Sequence, residues 1–161
     1  MTTKVIYPGT FDPITYGHID IVERALRLFD KVIIGIAQNA AKKPLFTFEE
    51  RVALVQKVFA KNKKVQICSF SGLLIDLARE KKVMVILRGL RAISDFEYEL
   101  QLANLNRTME PEIDTIFLSP AEQYAYISAS MIREISALNG DVSQFVPPIV
   151  LKALKNKNYN S

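Results

Sequence analysis

Along this chain, unbroken apolar runs alternate with segments whose apolar residues recur every three or four positions. Val5-Ile6-Tyr7 is the first short run, and Ile19, Val22, Leu26 and Phe29 follow it at helical spacing. Val32-Ile33-Ile34-Gly35-Ile36-Ala37 is apolar throughout, as expected of a parallel strand covered on both faces. Thr47-Phe48-Glu49-Glu50 reads as a capping box that opens a helix with Phe48, Val52, Val55 and Phe59 turned inward. Residues 64–70 predict a third strand, and Ser71 or Gly72 begins a helix through Leu74, Leu77 and Ala78. Val83-Met84-Val85-Ile86-Leu87 predicts the fourth strand, followed at once by Arg88-Gly89-Leu90-Arg91 and a helix from about Ser94 to Arg107. Thr115-Ile116-Phe117-Leu118 is the fifth. A loop through Pro120 and Tyr124 leads to Ile127-Ser128-Ala129-Ser130 and a helix closed by Asn139-Gly140 as a left-handed cap. Pro147-Pro148 starts a last short helix, and residues 155–161 read as a frayed polar tail.

Five strands alternating with helices predict an α/β fold: a Rossmann-like open parallel five-stranded sheet with helices on both faces. Right-handed crossovers give the strand order 3-2-1-4-5. The 161 residues fit one domain, long enough to bury a core. In that order the first and fourth strands are neighbours at the switch point, where ligands bind beyond the strand ends. The two most unusual loops of the chain follow those two strands. One is Gly9-Thr10-Phe11-Asp12-Pro13-Ile14-Thr15-Tyr16-Gly17-His18 and the other is Arg88-Gly89-Leu90-Arg91. The fold alone therefore predicts that His18 meets two arginines in one crevice.

That first loop is rich in turn formers, and Thr15 can cap the helix that follows. Unpaired N–H groups in the helix's first turn favour a phosphate, and His18 lies in the same turn. With Lys42 and the planar guanidinium forks of Arg88 and Arg91 added, the crevice suits phosphate groups. Taken singly, each residue has a plainer reading. His18 could be a satisfied cap, Lys42 a solvated loop charge, and Ser128 or Ser130 an N-cap. Arg88 and Arg91 could be surface partners of Asp95, Glu97 or Glu99. Their convergence is what points to function.

Composition narrows the choice further. Apolar residues make up 49% and charged residues 24%, which is globular. The net charge is only +4, with no run of Lys/Arg longer than two, so a polymeric nucleic-acid partner is not expected. Neither Gly-x-Gly-x-x-Gly nor Gly-x-x-x-x-Gly-Lys occurs, which disfavours redox dinucleotide enzymes and P-loop hydrolases. No His/Cys/carboxylate cluster has metal spacing, so no protein-held metal is expected. Cys68 is the only cysteine, and its strand setting predicts an inert thiol. No signal-peptide core or membrane-length apolar stretch is seen, so a cytoplasmic protein is expected, with no membrane partner.

Gly9-Thr10-Phe11-Asp12-Pro13 followed by Thr15-Tyr16-Gly17-His18 resembles the (H/T)-x-G-H signature of the nucleotidyltransferase superfamily. Ile127-Ser128-Ala129-Ser130-Met131-Ile132-Arg133 is similar to its I-S-S-S/T-x-x-R motif, with Ala129 in place of the middle serine. Arg88-Gly89-Leu90-Arg91 with Asp95-Phe96-Glu97-Tyr98-Glu99 and Gln101-Leu102-Ala103-Asn104-Leu105-Asn106 resembles the bacterial phosphopantetheine adenylyltransferases. That family transfers the adenylyl group of ATP to 4′-phosphopantetheine, giving dephospho-coenzyme A and pyrophosphate. The resemblance implies His18 and Lys42 as catalytic residues, with His18 stabilising the transition state and no covalent enzyme intermediate. It implies ATP held by Thr10, Phe11, His18, Gly89, Arg91, Glu99, Tyr124, Ile127, Ser128 and Ser130. It implies 4′-phosphopantetheine held by Thr10, Lys42, Leu74 and Arg88, with Mg²⁺ carried on the ATP phosphates. Feedback inhibition by coenzyme A and a homo-oligomer, a hexamer, are implied too. Tyr124 stands where some relatives have Trp.

Two rivals stand beside this reading. One is another adenylyl- or cytidylyltransferase, acting for example on nicotinamide mononucleotide or glycerol phosphate, which would share the first loop but not need the residues 88–106 block. The other is a nucleotide sensor that binds ATP without turnover and would tolerate the loss of His18.

Overall fold

Five strands build one parallel sheet: β1 (Lys4–Gly9), β2 (Lys31–Ala37), β3 (Val65–Phe70), β4 (Val85–Gly89) and β5 (Asp114–Leu118), in the order β3-β2-β1-β4-β5. The structure is a computed structural model that describes residues 1–39, 43–91 and 93–159. Between and after the strands run α1 (Tyr16–Ala25), α2 (Phe48–Val58), α3 (Leu74–Lys81), α4 (Ile93–Met109), α5 (Ala129–Ala137) and α6 (Pro148–Tyr159), with a 3₁₀ turn at Glu122–Tyr124. The predicted class and strand order are both observed.

The apolar runs of β1 and β2 follow from their central place, since side chains on alternate faces both meet protein. Val5 and Tyr7, with Val32, Ile34 and Ile36, enter one core with Ile21, Val22, Leu54, Val55, Ile132, Val150 and Leu154. Ile6, Ile33 and Ile86 enter the other with Ile75, Leu77 and Ala78 of α3. Each such aliphatic side chain contributes about 1.5–3 kcal/mol by leaving water. Strand β3 lies at the edge and exposes Gln66 and Ser69.

Several boundaries differ from the sequence expectation. Strand β4 starts at Val85 rather than Val83 and takes in Arg88 and Gly89, and β1 takes in Pro8 and Gly9. Pairing of Gly9 with Ile36, and of Arg88 and Gly89 with Phe117 and Leu118, carries the ladders past the apolar runs. Arg88 and Gly89 are thus strand residues held by the sheet, not members of a loop. Helix α3 begins at Leu74, behind a turn at Gly72 (φ 95°), and has no side-chain cap.

The predicted frayed tail is helix as far as Tyr159. Val150 and Leu154 are buried one helical turn apart, and Asn158 extends the stripe by donating to Ser136 O and Oγ, both at 2.7 Å. Lys157 lies 2.8 Å from Glu50. Asn160 and Ser161 fall outside the described residues. On α2 the predicted inner face is wider than expected, because Arg51 and Leu54 are buried with Val55 and Phe59. The left-handed cap of α5 is seen at Asn139 (φ 60°). At Gly140 a Cβ would lie 2.4 Å from Ile135 Cγ2, so no side chain fits without a shift.

Candidate active site

The carboxyl ends of all five strands open into one cleft of about 860 Å³. Its walls follow the sheet order. Phe70 and Leu74 come from the β3 exit, and Ala37, Lys43 and Pro44 from the β2 exit. Thr10, Phe11 and His18 lie at the β1 exit, Arg88, Gly89 and Arg91 at the β4 exit, and Tyr124, Ile127, Ser128 and Ser130 beyond β5. Glu99 of α4 completes the set, so twelve of the thirteen expected site residues line this one space. The thirteenth, Lys42, lies outside the described residues.

Residues 10–15 turn the chain sharply between β1 and α1. Phe11 takes a left-handed backbone (φ 51°), uncommon for a bulky residue, and its ring drops into the core. There it packs edge-on against Tyr7, with centroids 5.5 Å apart, and lies 5.0 Å from the His18 ring. Gly9 makes room for it, since a Cβ there would stand 3.0 Å from Phe11 Cε2. Asp12 is buried, and its carboxylate accepts the N–H groups of Leu45 and Phe46 at 2.9 Å each. Arg133 donates to Asp12 O at 2.6 Å and to Ser130 Oγ at 3.2 Å. The loop is therefore clamped from the α2 side and from the α5 side.

Thr15 caps α1, and its Oγ1 accepts from His18 N at 3.4 Å. In return the Thr15 N–H donates to His18 Nδ1 at 3.0 Å. A backbone N–H can only donate, so Nδ1 is an acceptor and the neutral ring carries its proton on Nε2. Burial first, and the charge of Arg91 second, lower the His18 pKa to about 4. His18 thus presents an uncharged N–H donor at physiological pH.

The helix end itself offers less than expected. Tyr16 N–H donates to Phe145 O at 2.8 Å and His18 N–H to Thr15, leaving Gly17 as the first-turn amide without an acceptor among the described residues.

Across the cleft, Arg88 donates through Nε and Nη2 to the two oxygens of Glu99 at 2.8 and 2.6 Å, and leans over β1 with Nη1 3.5 Å from Pro8 O. Burial opposes its charge, but the hydrogen bonds and charge of Glu99 outweigh it and raise its pKa. Arg91 donates to Ile127 O at 3.2 Å, which joins the β4 exit to the segment before α5. Asp20 of α1 accepts from Ala121 N at 2.8 Å and holds the 3₁₀ turn in place. Ser128 is the N-cap of α5, accepting from Met131 N at 3.1 Å. Burial pushes the pKa of the half-buried Cys68 thiol up.

A family model for cytidylyltransferase-like proteins matches residues 6–135, a span that contains both unusual loops and the Ile127–Arg133 motif. The chain belongs to the cytidylyltransferase-like family. Among solved structures, the nicotinic acid mononucleotide adenylyltransferase of Plasmodium falciparum, solved with NaAD, is similar with a TM-score of 0.74 and 16% identity, over 98% of this chain and 97% of that one. A candidate nicotinate-nucleotide adenylyltransferase from Vibrio parahaemolyticus has a TM-score of 0.73 and 18% identity over 100% and 97%. A lipopolysaccharide core biosynthesis protein from Thermoplasma volcanium has a TM-score of 0.58 and 21% identity over 76% and 100%. These likenesses are of fold. For a cytidylyltransferase-like protein, the His18 Nε2–H, the Gly17 amide and the guanidinium of Arg91 make one electropositive side to a cleft that opens over β1.

Sequence reasoning missed Asp12, Arg51 and Arg133 as builders of this site. Arg133 lies in the Ile127–Arg133 motif, and Asp12 lies in a loop whose composition signals only turns. Arg51 gave no signal, since an arginine within a helix ordinarily faces water.

Proposed function

We propose that this protein transfers the adenylyl group of ATP to the phosphate of 4′-phosphopantetheine, releasing pyrophosphate and forming dephospho-coenzyme A. The observation that carries the reading is the Arg88–Glu99 pair on the cleft wall. Both residues belong to the residues 88–106 block, whose likeness to the phosphopantetheine adenylyltransferases is the most particular in the chain.

The sheet order supports a division of labour. Acceptor binds on the β2–β3 side, its arm along Leu74 and its phosphate on Lys42 and on Arg88, which leans from β4 over β1. ATP binds on the β4–β5 side against Phe11, Gly89, Arg91, Glu99, Tyr124, Ile127, Ser128 and Ser130. Thr10, at the β1 exit between the two, touches both. The acceptor is already an anion, so no general base is required. An acceptor oxygen attacks the α-phosphorus in line, and the bond to the β-phosphate breaks with its electron pair leaving on pyrophosphate. His18 Nε2–H and Lys42 donate to the oxygens on which charge develops. Mg²⁺ arrives as part of the MgATP substrate. Among the described residues, the cleft carboxylates Asp12 and Glu99 are engaged, and Asp95 also lines the cleft.

Coenzyme A, which shares the acceptor's arm, is the feedback inhibitor in this reading. A hexamer would cover exposed apolar residues such as Leu100, Leu105 and Met109 of α4. Among the described residues no helix is long and apolar enough to cross a membrane.

A second reading takes nicotinic acid mononucleotide as acceptor, after the activity for which two structural neighbours are named. One assay separates the two: pyrophosphate release from MgATP with 4′-phosphopantetheine, nicotinic acid mononucleotide or glycerol phosphate. Release with phosphopantetheine alone supports the proposal, and release with nicotinic acid mononucleotide alone replaces it.

A further inference from the structure

Arg51 is the largest fully buried side chain of the molecule among the described residues, and it is charged. No carboxylate pairs with it there. Its Nη1 donates to Thr10 O at 2.8 Å and to Ala37 O at 2.9 Å, and Nη2 lies 3.5 Å from Gln38 O. The guanidinium also sits 5.6 Å from the centre of the Phe48 ring. A buried cation is costly, and a carbonyl cage answers it only in part. A core hydrophobe at this point of α2 would avoid that cost but take a donor from the carbonyls of Thr10, Ala37 and Gln38, so the reason for an arginine lies with those partners.

Thr10 O is on the exit of β1, and Ala37 O and Gln38 O are on the exit of β2, where the chain runs on towards Lys42. Parallel strands stop hydrogen-bonding where they diverge, and these exits part at Gly9 and Ile36. A single planar fork bridges them just past that point, and its fixed geometry makes the bridge a spacer of defined length. We propose that Arg51 is a positioning residue which fixes the exit of β1 at Thr10 against the exit of β2 at Ala37 and Gln38, and so the side of the cleft that holds His18 against the side on which the acceptor is read to bind. The inference rests on the nucleotidyl-transfer reading above, but not on which acceptor is used.

The test compares Arg51→Lys, Arg51→Gln and wild type, with Thr47→Ala as a control that weakens α2 by removing its N-cap and leaves the bridge alone. Kd is measured for MgATP and for acceptor separately, and kcat well below each Tm. A positioning role predicts that kcat falls about 10–100-fold in Arg51→Gln while each binary Kd shifts less than about threefold. Arg51→Lys keeps the charge but not the fork, and is predicted to recover only a small part of that loss. The control, matched for lost Tm, keeps wild-type kcat. Equal kcat in Arg51→Gln and the control overturns the proposal, as does a rise in Kd as large as the fall in kcat.

Amide hydrogen exchange in the ligand-free protein gives a readout independent of turnover. The Gln38 amide, which donates to Phe70 O at 2.9 Å, should exchange at least about tenfold faster in Arg51→Gln, and in Arg51→Lys should Gln fail to fold, while β5 is unchanged. Uniform acceleration over the whole chain, or none, would also overturn it. Should wild type release no pyrophosphate with any acceptor, the functional reading falls, and the exchange result still decides whether Arg51 holds the two exits.

Discussion

His18 acts in the proposed reaction as a neutral donor, because the Thr15 N–H occupies Nδ1 and burial with Arg91 disfavours a second proton. Protonation would set two donors against each other across 3.0 Å. His18→Ala removes a group that matters most when charge develops on the α-phosphate. We expect kcat to fall about 10²–10³-fold, with ATP affinity falling far less, as initial rates and equilibrium binding would show. Equal losses would give His18 a ground-state role. In the free protein, NMR titration of the ring protons should give a pKa near 4, and MgATP should raise it by placing anionic charge beside the ring. The sign of the linked stability follows. The folded pKa is below the ordinary 6.5, so the unfolded chain binds this proton more readily. The contribution is fully present above about pH 6.5 and is lost as pH falls from there through 4. The stability gap between wild type and His18→Gln should move in that direction in urea unfolding at stepped pH.

At the scale of elements, the site depends on loops clamped by groups distant in sequence. Asp12 holds the α1 entry loop to the segment before α2 through Leu45 and Phe46. Asp12→Asn can accept only one of those two N–H groups and sets a donor against the other. The expected loss is about 1–3 kcal/mol of stability, with kcat lowered in the folded fraction, read from urea unfolding and initial rates. Such clamps are hard to read from a sequence. Asp12, Arg51 and Arg133 are polar residues that periodicity assigns to turns or to water, yet each meets a partner more than twenty residues away in the chain. Strand ends were obscured for a similar reason. Backbone pairing continues through Pro8-Gly9 and Arg88-Gly89, where side-chain apolarity stops. Residues 155–159 look like a tail by composition and are helix because Asn158 and Lys157 find Ser136 and Glu50.

Over the whole molecule, the sheet order was legible because alternating runs and right-handed crossovers leave few topologies. From that order alone, His18, Arg88 and Arg91 were expected in one crevice, and one cleft receives all three. Substrate identity has no comparable rule, since a fold shared at 16–21% identity does not by itself fix an acceptor. The claim that unites fold and chemistry is that two phosphates are held in line across β1, with no enzyme nucleophile between them. Transfer from ATP made chiral at the α-phosphorus with one sulfur in place of oxygen, followed by ³¹P analysis of the product, tests it most directly. A single in-line displacement predicts inversion at that phosphorus. Retention would require an adenylyl-enzyme intermediate and would contradict the account.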